Sequence, residues 1–247
     1  VVVRESGPWS PTVLALLRHY ETVGFDGAPR VVGSGFAADG REMLSFVEGA
    51  SPHPHAWPDS ALFALGELLR RVHRAGATFS PPFDARWKPR FARLLPGSRP
   101  VLGHGDVGPW NVLADSSGRL SLIDWECAGP VDAVWELAEA AWLNAQLHDD
   151  DVAEMAGLPS AEVRAGQVRL LLDGYGLPGA ERVGFVDKLI EFAVRAARAE
   201  AVDAGVTPDT AVVSVTGYPV LWAVTWRTRS AAWMLDHRAL LTNAVIG

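Results

Sequence analysis

Between residues 60 and 75 apolar side chains recur every three or four positions, at Leu62, Phe63, Leu65, Leu68, Leu69 and Val72, with Asp59 or Ser60 ahead and Gly76 behind. That period draws one apolar stripe along a helix, and the flanking residues are of the kinds that start and stop one. An earlier helix is expected over 12–23, with Ser10 as N-cap, Pro11 at the first helical position, Leu14 and Leu17 on one face and Gly24 at the end. Residues 30–33 and 42–47 alternate as short strands do, around a turn at Asp39-Gly40. Pro52, Pro54 and Pro58 follow Gly49 and mark a connector, which would divide a small N-terminal lobe, 1–49, from a larger C-terminal lobe, 50–247.

Residues 100–102 lead into GHGDVGPWNVL, a turn follows at Ser116-Ser117-Gly118-Arg119, and LSLIDWE returns. Two short apolar runs about such a turn predict a β-hairpin. From Asp132 to the end the pattern is almost wholly helical, with stops near 157–159, 174–178 and 205–208. The histidine of the 60–75 helix, His73, is expected to pack or cap, and Asp132 to cap the helix it precedes.

Composition narrows the class. The chain has 247 residues, 49% apolar and 21% charged, which suits a globular protein with a substantial core. Its single cysteine, Cys127, excludes an internal disulfide framework and a multi-cysteine zinc site. The longest apolar stretch, 212–226, is broken by Gly217 and Pro219 and falls short of the roughly 20 residues a spanning helix needs. With no apolar signal region at the N-terminus, a cytoplasmic protein without membrane contact is expected. A net charge of −7 argues against a nucleic-acid partner and would mildly attract a cationic ligand.

The chemistry gathers at the hairpin. Antiparallel pairing, with 112–114 opposite 121–123, would set Asn111 beside Asp124, and Asp106 can fold over the same end from a loop containing Gly105 and Gly108. Two carboxylates and an amide oxygen, with His104 alongside, form a hard-oxygen set suited to Mg²⁺, which completes its shell with phosphates and water. One carboxylate would stay free to accept a proton from an attacking hydroxyl.

His104-Gly105-Asp106, Asn111 and Ile123-Asp124-Trp125-Glu126 resemble the HGDxxxxN and IDWE motifs of the aminoglycoside phosphotransferase and choline kinase superfamily. The likeness continues in EMLSFVEG at 42–49, LGELLRRVH at 65–73 and GPVDAVWEL at 129–137. It implies an α+β, two-lobe protein-kinase-like fold with a reduced N-terminal lobe and a mostly helical C-terminal lobe. It also implies Asp106 as the base, Asn111 and Asp124 as Mg²⁺ ligands, and ATP or GTP as donor, held by the backbone of Ser45, Phe46 and Val47. The acceptor would be a hydroxyl-bearing small molecule, an aminoglycoside being one of several.

The small lobe departs from that family. Only Lys88 and Lys188 occur, neither in 1–49, so Arg4 of VVVR would stand at or next to the phosphate-gripping lysine. The first helix has no acid before Glu21 to orient it, and the three residues before Arg4 are too few for a glycine-rich hairpin. Two functions therefore remain open: a small-molecule kinase with an unusual small lobe, and a kinase-shaped binding, sequestering or immunity protein that transfers nothing. Among the ten tryptophans, Trp110 in the catalytic loop is the better ligand-stacking candidate, whereas Trp135 and Trp142 at helical spacing suit packing. The run Asp149-Asp150-Asp151 reads as a solvated loop or helix start before an attractor for an amine.

Overall fold

Three β-branched valines precede Arg4, and the second and third of them run with Arg4 along the edge of a small antiparallel sheet in the computed structural model, which describes residues 1–207, 209–210 and 219–247. Its strands are β1 (Val2–Arg4), β2 (Val31–Phe36) and β3 (Glu42–Leu44), in the order β1-β3-β2. β3 is shorter than the expected 42–47: Ser45 still pairs with Arg30, and beyond it the chain leaves the sheet. Helix α1 (Ser10–Thr22) packs Val13, Leu14, Leu16, Leu17 and Tyr20 inward. It starts earlier than expected, with Trp9 at the cap position. Ser10 is a buried helix residue whose Oγ accepts from Gly7 N at 2.8 Å, so it fixes the entering turn and caps nothing.

The apolar stripe of 60–75 is buried as α2 (Asp59–Gly76), where Leu62, Leu65, Leu69 and Val72 are at most 1% exposed. Each such side chain contributes about 1.5–3 kcal/mol by leaving water. Strand β4 (Pro100–Gly103) pairs with β7 (Gly129–Asp132), and β5 (Val112–Ala114) pairs with β6 (Leu120–Leu122) in the hairpin. Helix α3 (Ala133–Asn144) is buried at every residue except Val134, and Asp132 caps it by accepting from Val134 N and Trp135 N.

The remaining described chain is helical: α4 (Asp150–Met155), α5 (Ala161–Tyr175), α6 (Gly179–Arg182), α7 (Phe185–Asp203), α8 (Val220–Asp236) and α9 (Arg238–Ile246). Helix α5 crosses α2 so closely that a Cβ on Gly66 would strike the Leu171 carbonyl, and one on Gly174 the Phe63 carbonyl. Of the apolar stretch 212–226, residues 212–218 lie outside the described residues, as does Pro208 of the expected stop at 205–208. Among the described residues no helix is long and apolar enough to cross a membrane.

Candidate functional site

The catalytic-loop candidates are held by what lies beneath them. His104 is fully buried, its Nε2 is 2.8 Å from the Ile123 carbonyl, and burial pushes its pKa down, so the ring is neutral with Nε2–H as donor. Gly105 has φ +76°, and a Cβ there would meet the Cys127 carbonyl, so both backbone and space require glycine. Its N–H donates to Glu136 Oε1 at 2.6 Å. Glu136 in turn accepts from His73 Nε2 at 2.5 Å, and His73 Nδ1 lies 2.9 Å from the Tyr175 hydroxyl. This buried chain ties α2, α3 and α5 to the residue before Asp106.

Asn111 Nδ2 donates to Asp106 Oδ2 at 2.9 Å and to the Asp106 carbonyl at 3.0 Å. Its own carbonyl accepts from Ile123 N at 3.0 Å, so Asp124 follows directly on the residue paired with Asn111. The observed register, Val112 opposite Leu122, is one residue from the expected pairing and keeps that adjacency. Asp124 has the left-handed backbone φ 60°, ψ 61°, and buried Trp125 anchors the turn by donating Nε1–H to the Leu122 carbonyl at 2.9 Å. With the Asn111 amide nitrogen committed to Asp106, Oδ1 is the atom left for a cation.

Arg4 reaches this turn from β1. Its Nη2 donates to Asp124 Oδ1 at 2.6 Å and lies 3.5 Å from Glu126 Oε2, while its Nε is 3.5 Å from Glu42 Oε2. Ser45, Phe46 and Val47 lie between β3 and the hairpin edge, where Ala50 bridges Ala114; Phe46 is exposed, and Ser45 exchanges hydrogen bonds with Arg30. The structure thus joins Asp106, Asn111, Asp124 and Arg4 in one network and sets 45–47 on the segment that follows β3.

A segment that reads in sequence as a proline-rich link supplies the rest. Arg86 N donates to Thr12 Oγ1 of α1 at 2.9 Å, Lys88 Nζ is 2.5 Å from Glu126 and 5.2 Å from the Trp9 ring centroid, and Arg93 donates to the carbonyls of Lys88, Cys127 and Ala128. Arg90 donates to Glu139 at 2.8 Å and sits 3.8 Å from Asp106 Oδ1. Four basic residues spaced over 86–93 were the signal; the acids that Lys88 and Arg90 meet lie 16 to 49 positions away. Glu136, Glu139 and Glu42 were missed too, because an acid inside an apolar pattern does not announce its partner.

Beside Asp106 opens a cavity of about 140 Å³ lined by Arg90, Glu139, Trp142, Asp203 and Arg227. Burial, with the Asp106 and Glu136 carboxylates nearby, pushes Glu139 up to about 8 against the pull of Arg90. A second cavity of about 440 Å³ adjoins it through Trp110, Leu143, Trp226 and Arg227 and is mainly apolar. Trp110, 42% exposed, faces both cavities, whereas Trp135 and Trp142 are buried. Asp149 opens α4 by accepting from Asp150 N, and Asp149 and Asp151 pair with Arg229.

Among the described residues no three His, Cys, Asp or Glu side chains form a metal cage. The Asn111 Oδ1 and Asp124 carboxylate pair is a sparse hard-oxygen set, which fits a Mg²⁺ that takes its other ligands from phosphates and water and does not fit zinc or a protein-caged metal.

Known proteins share this fold. The profile of the phosphotransferase enzyme family matches residues 80–184. A protein of Rhizobium leguminosarum bv. trifolii named trifolitoxin immunity protein is 55% identical over 99% of this chain and 92% of its own length. An amicoumacin kinase solved with AMP-PNP, Ca²⁺ and its ligand superposes with a TM-score of 0.65 at 13% identity, covering 92% of this chain and 78% of the kinase. A microcompartment-associated aminopropanol kinase gives 0.61 at 16% identity over 98% and 84%. A choline/ethanolamine kinase family protein of Mesorhizobium loti gives 0.60 at 15% over 100% and 92%.

Proposed function

We propose a function from the premise that this chain belongs to the phosphotransferase enzyme family, with its protein-kinase-like fold: Mg²⁺-dependent transfer of a phosphoryl group from ATP or GTP to a hydroxyl of a small molecule. The observation that carries it is the Asp106–Asn111–Asp124 cluster, with Asp106 lining the smaller of two adjoining cavities that together offer room for an acceptor.

Asp106 accepts the proton of the acceptor hydroxyl as its oxygen bonds to the terminal phosphorus and the bond to the nucleoside diphosphate breaks. Asn111 Nδ2 holds Asp106 for that step, and Asn111 Oδ1 with Asp124 would hold the metal. The bound metal supplies neutralisation of phosphate charge. Arg4 leaves Asp124 for the phosphates, and its guanidinium can take two phosphate oxygens at once. Even with Glu139 left out as largely protonated, Asp106, Glu200 and Asp203 outnumber the cations Arg90 and Arg227 around the smaller cavity, which favours an acceptor without negative charge. The name of the 55% identical relative supports a toxin as that acceptor.

A second reading, sequestration without transfer, is favoured by the Arg4–Asp124 ion pair, which occupies a metal ligand, and by the same relative's designation as an immunity protein. Calorimetry with Mg²⁺-ATP and Mg²⁺-GTP, then radiolabelled phosphate transfer to a panel of hydroxyl-bearing toxins and metabolites, separates the two. Transfer that is abolished by Asp106→Asn is expected. Undiminished transfer in that variant would refute the assigned base, and toxin binding without nucleotide binding would replace the kinase reading by sequestration.

A further inference from the structure

We infer that Glu42, a strand residue, is the group that positions Arg4 for nucleotide phosphate, a task with no acid on α1 to perform it; the inference rests on the phosphoryl-transfer reading above. Glu42 stands directly opposite Arg4 in the antiparallel β1–β3 register, and cross-strand partners project to the same face of a sheet. Glu42 Oε2 lies 3.5 Å from Arg4 Nε, and its side chain is 4% exposed. A carboxylate so far from water is costly unless a cation faces it, and Arg4 is that cation.

The alternatives around Arg4 are each engaged elsewhere. Asp124 is committed to the metal once the site is loaded, so the contact seen at 2.6 Å is not one Arg4 keeps during transfer. Glu126, 3.5 Å away, holds the Lys88 ammonium at 2.5 Å. The buried face of α1 presents Thr12, Val13, Leu16, Leu17 and Tyr20, and its one acid, Glu21, is exposed. Glu42 is the acid fixed to rigid backbone beside Arg4 and independent of both nucleotide and metal. Its contact is with Nε, which leaves the two Nη groups for phosphate oxygens.

The experiment is a double-mutant cycle on Mg²⁺-ATP affinity, read by calorimetry with the melting temperature followed in parallel, for wild type, Arg4→Ala, Glu42→Gln and the double variant. Glu42→Gln is expected to weaken nucleotide binding about tenfold, Arg4→Ala at least as much, and the double variant no more than Arg4→Ala alone, because Glu42 acts only through Arg4. A purely structural Glu42 would lower the melting temperature with affinity unchanged. Wild-type affinity in Glu42→Gln, or independent multiplication of the two losses, overturns the assignment. Should Glu42→Gln not fold, Glu42→Asp, which keeps the charge and shortens its reach, is expected to show a smaller loss that again vanishes in the Arg4→Ala background, and its failure to do so is equally fatal. Absence of nucleotide binding in the wild type defeats the transfer reading and this inference together, whereas loss in Arg4→Ala without loss in Glu42→Gln or Glu42→Asp defeats this inference alone.

Discussion

Replacing Glu136 by alanine is expected to remove about 3–5 kcal/mol of stability, the range found when one partner of a buried charged pair is deleted. The carboxylate is 1% exposed and receives His73 Nε2 at 2.5 Å and Gly105 N at 2.6 Å. Each bond to a charged group is worth about 1.5–3 kcal/mol, and both donors would be left buried and unpaired. Against a typical total of about 5–15 kcal/mol this is a large share. Glu136→Gln keeps an acceptor for Gly105 and is expected to lose less, about 1–2 kcal/mol. Burial opposes ionisation of Glu136, but the His73 hydrogen bond and charge with the Gly105 N–H overcome it and hold the carboxyl below its usual value. Its contribution is therefore present above the unfolded value and lost as pH falls through the folded one. Urea unfolding followed by tryptophan fluorescence at pH 7 measures the change, with the exposed Glu67→Ala as a control expected within about 0.5 kcal/mol of wild type. A Glu136→Ala loss below about 1 kcal/mol at unchanged m would refute the idea that this carboxylate holds the catalytic loop.

Two further outcomes follow from buried groups. Burial, helped by Arg164 and His53, pushes His148 down to about 4. Its stabilising contribution is present above the unfolded value near 6.5 and falls by about 3 kcal/mol as pH drops towards 4. His148→Gln should flatten that acid limb in pH-dependent unfolding, and an unchanged limb would remove His148 as its source. Gly174→Ala should destabilise by about 1–3 kcal/mol because its Cβ meets the Phe63 backbone, whereas Gly166→Ala on the same helix, where a Cβ meets nothing, should stabilise by about 0.5–1 kcal/mol. Equal effects of the two substitutions on the melting temperature would show that α2 and α5 do not approach as described.

Elements whose cause is local were legible along the chain. The stripe of α2, the cap at Asp132, the hairpin about 116–119 and the solvated helix start at Asp149 each depend on neighbours within a few residues. So does the spacing of Asp106, Asn111 and Asp124, because one hairpin and one tight loop bring them together. Ser10 shows the limit even at short range: a serine before proline reads as a cap, yet its hydroxyl turns back to Gly7 because its backbone is already helical.

By itself, then, the sequence determined the family and a core of metal and base candidates, since these rest on motifs whose geometry is closed within about twenty residues. Tertiary structure alone decided which charges meet and which of them are buried. Arg4 meets Asp124 across 120 positions, His73 meets Glu136 across 63, and Lys88 meets Glu126 across 38. An ionised side chain can be taken out of water only where a partner waits, and that partner is chosen by the packing of distant elements, which no local pattern encodes.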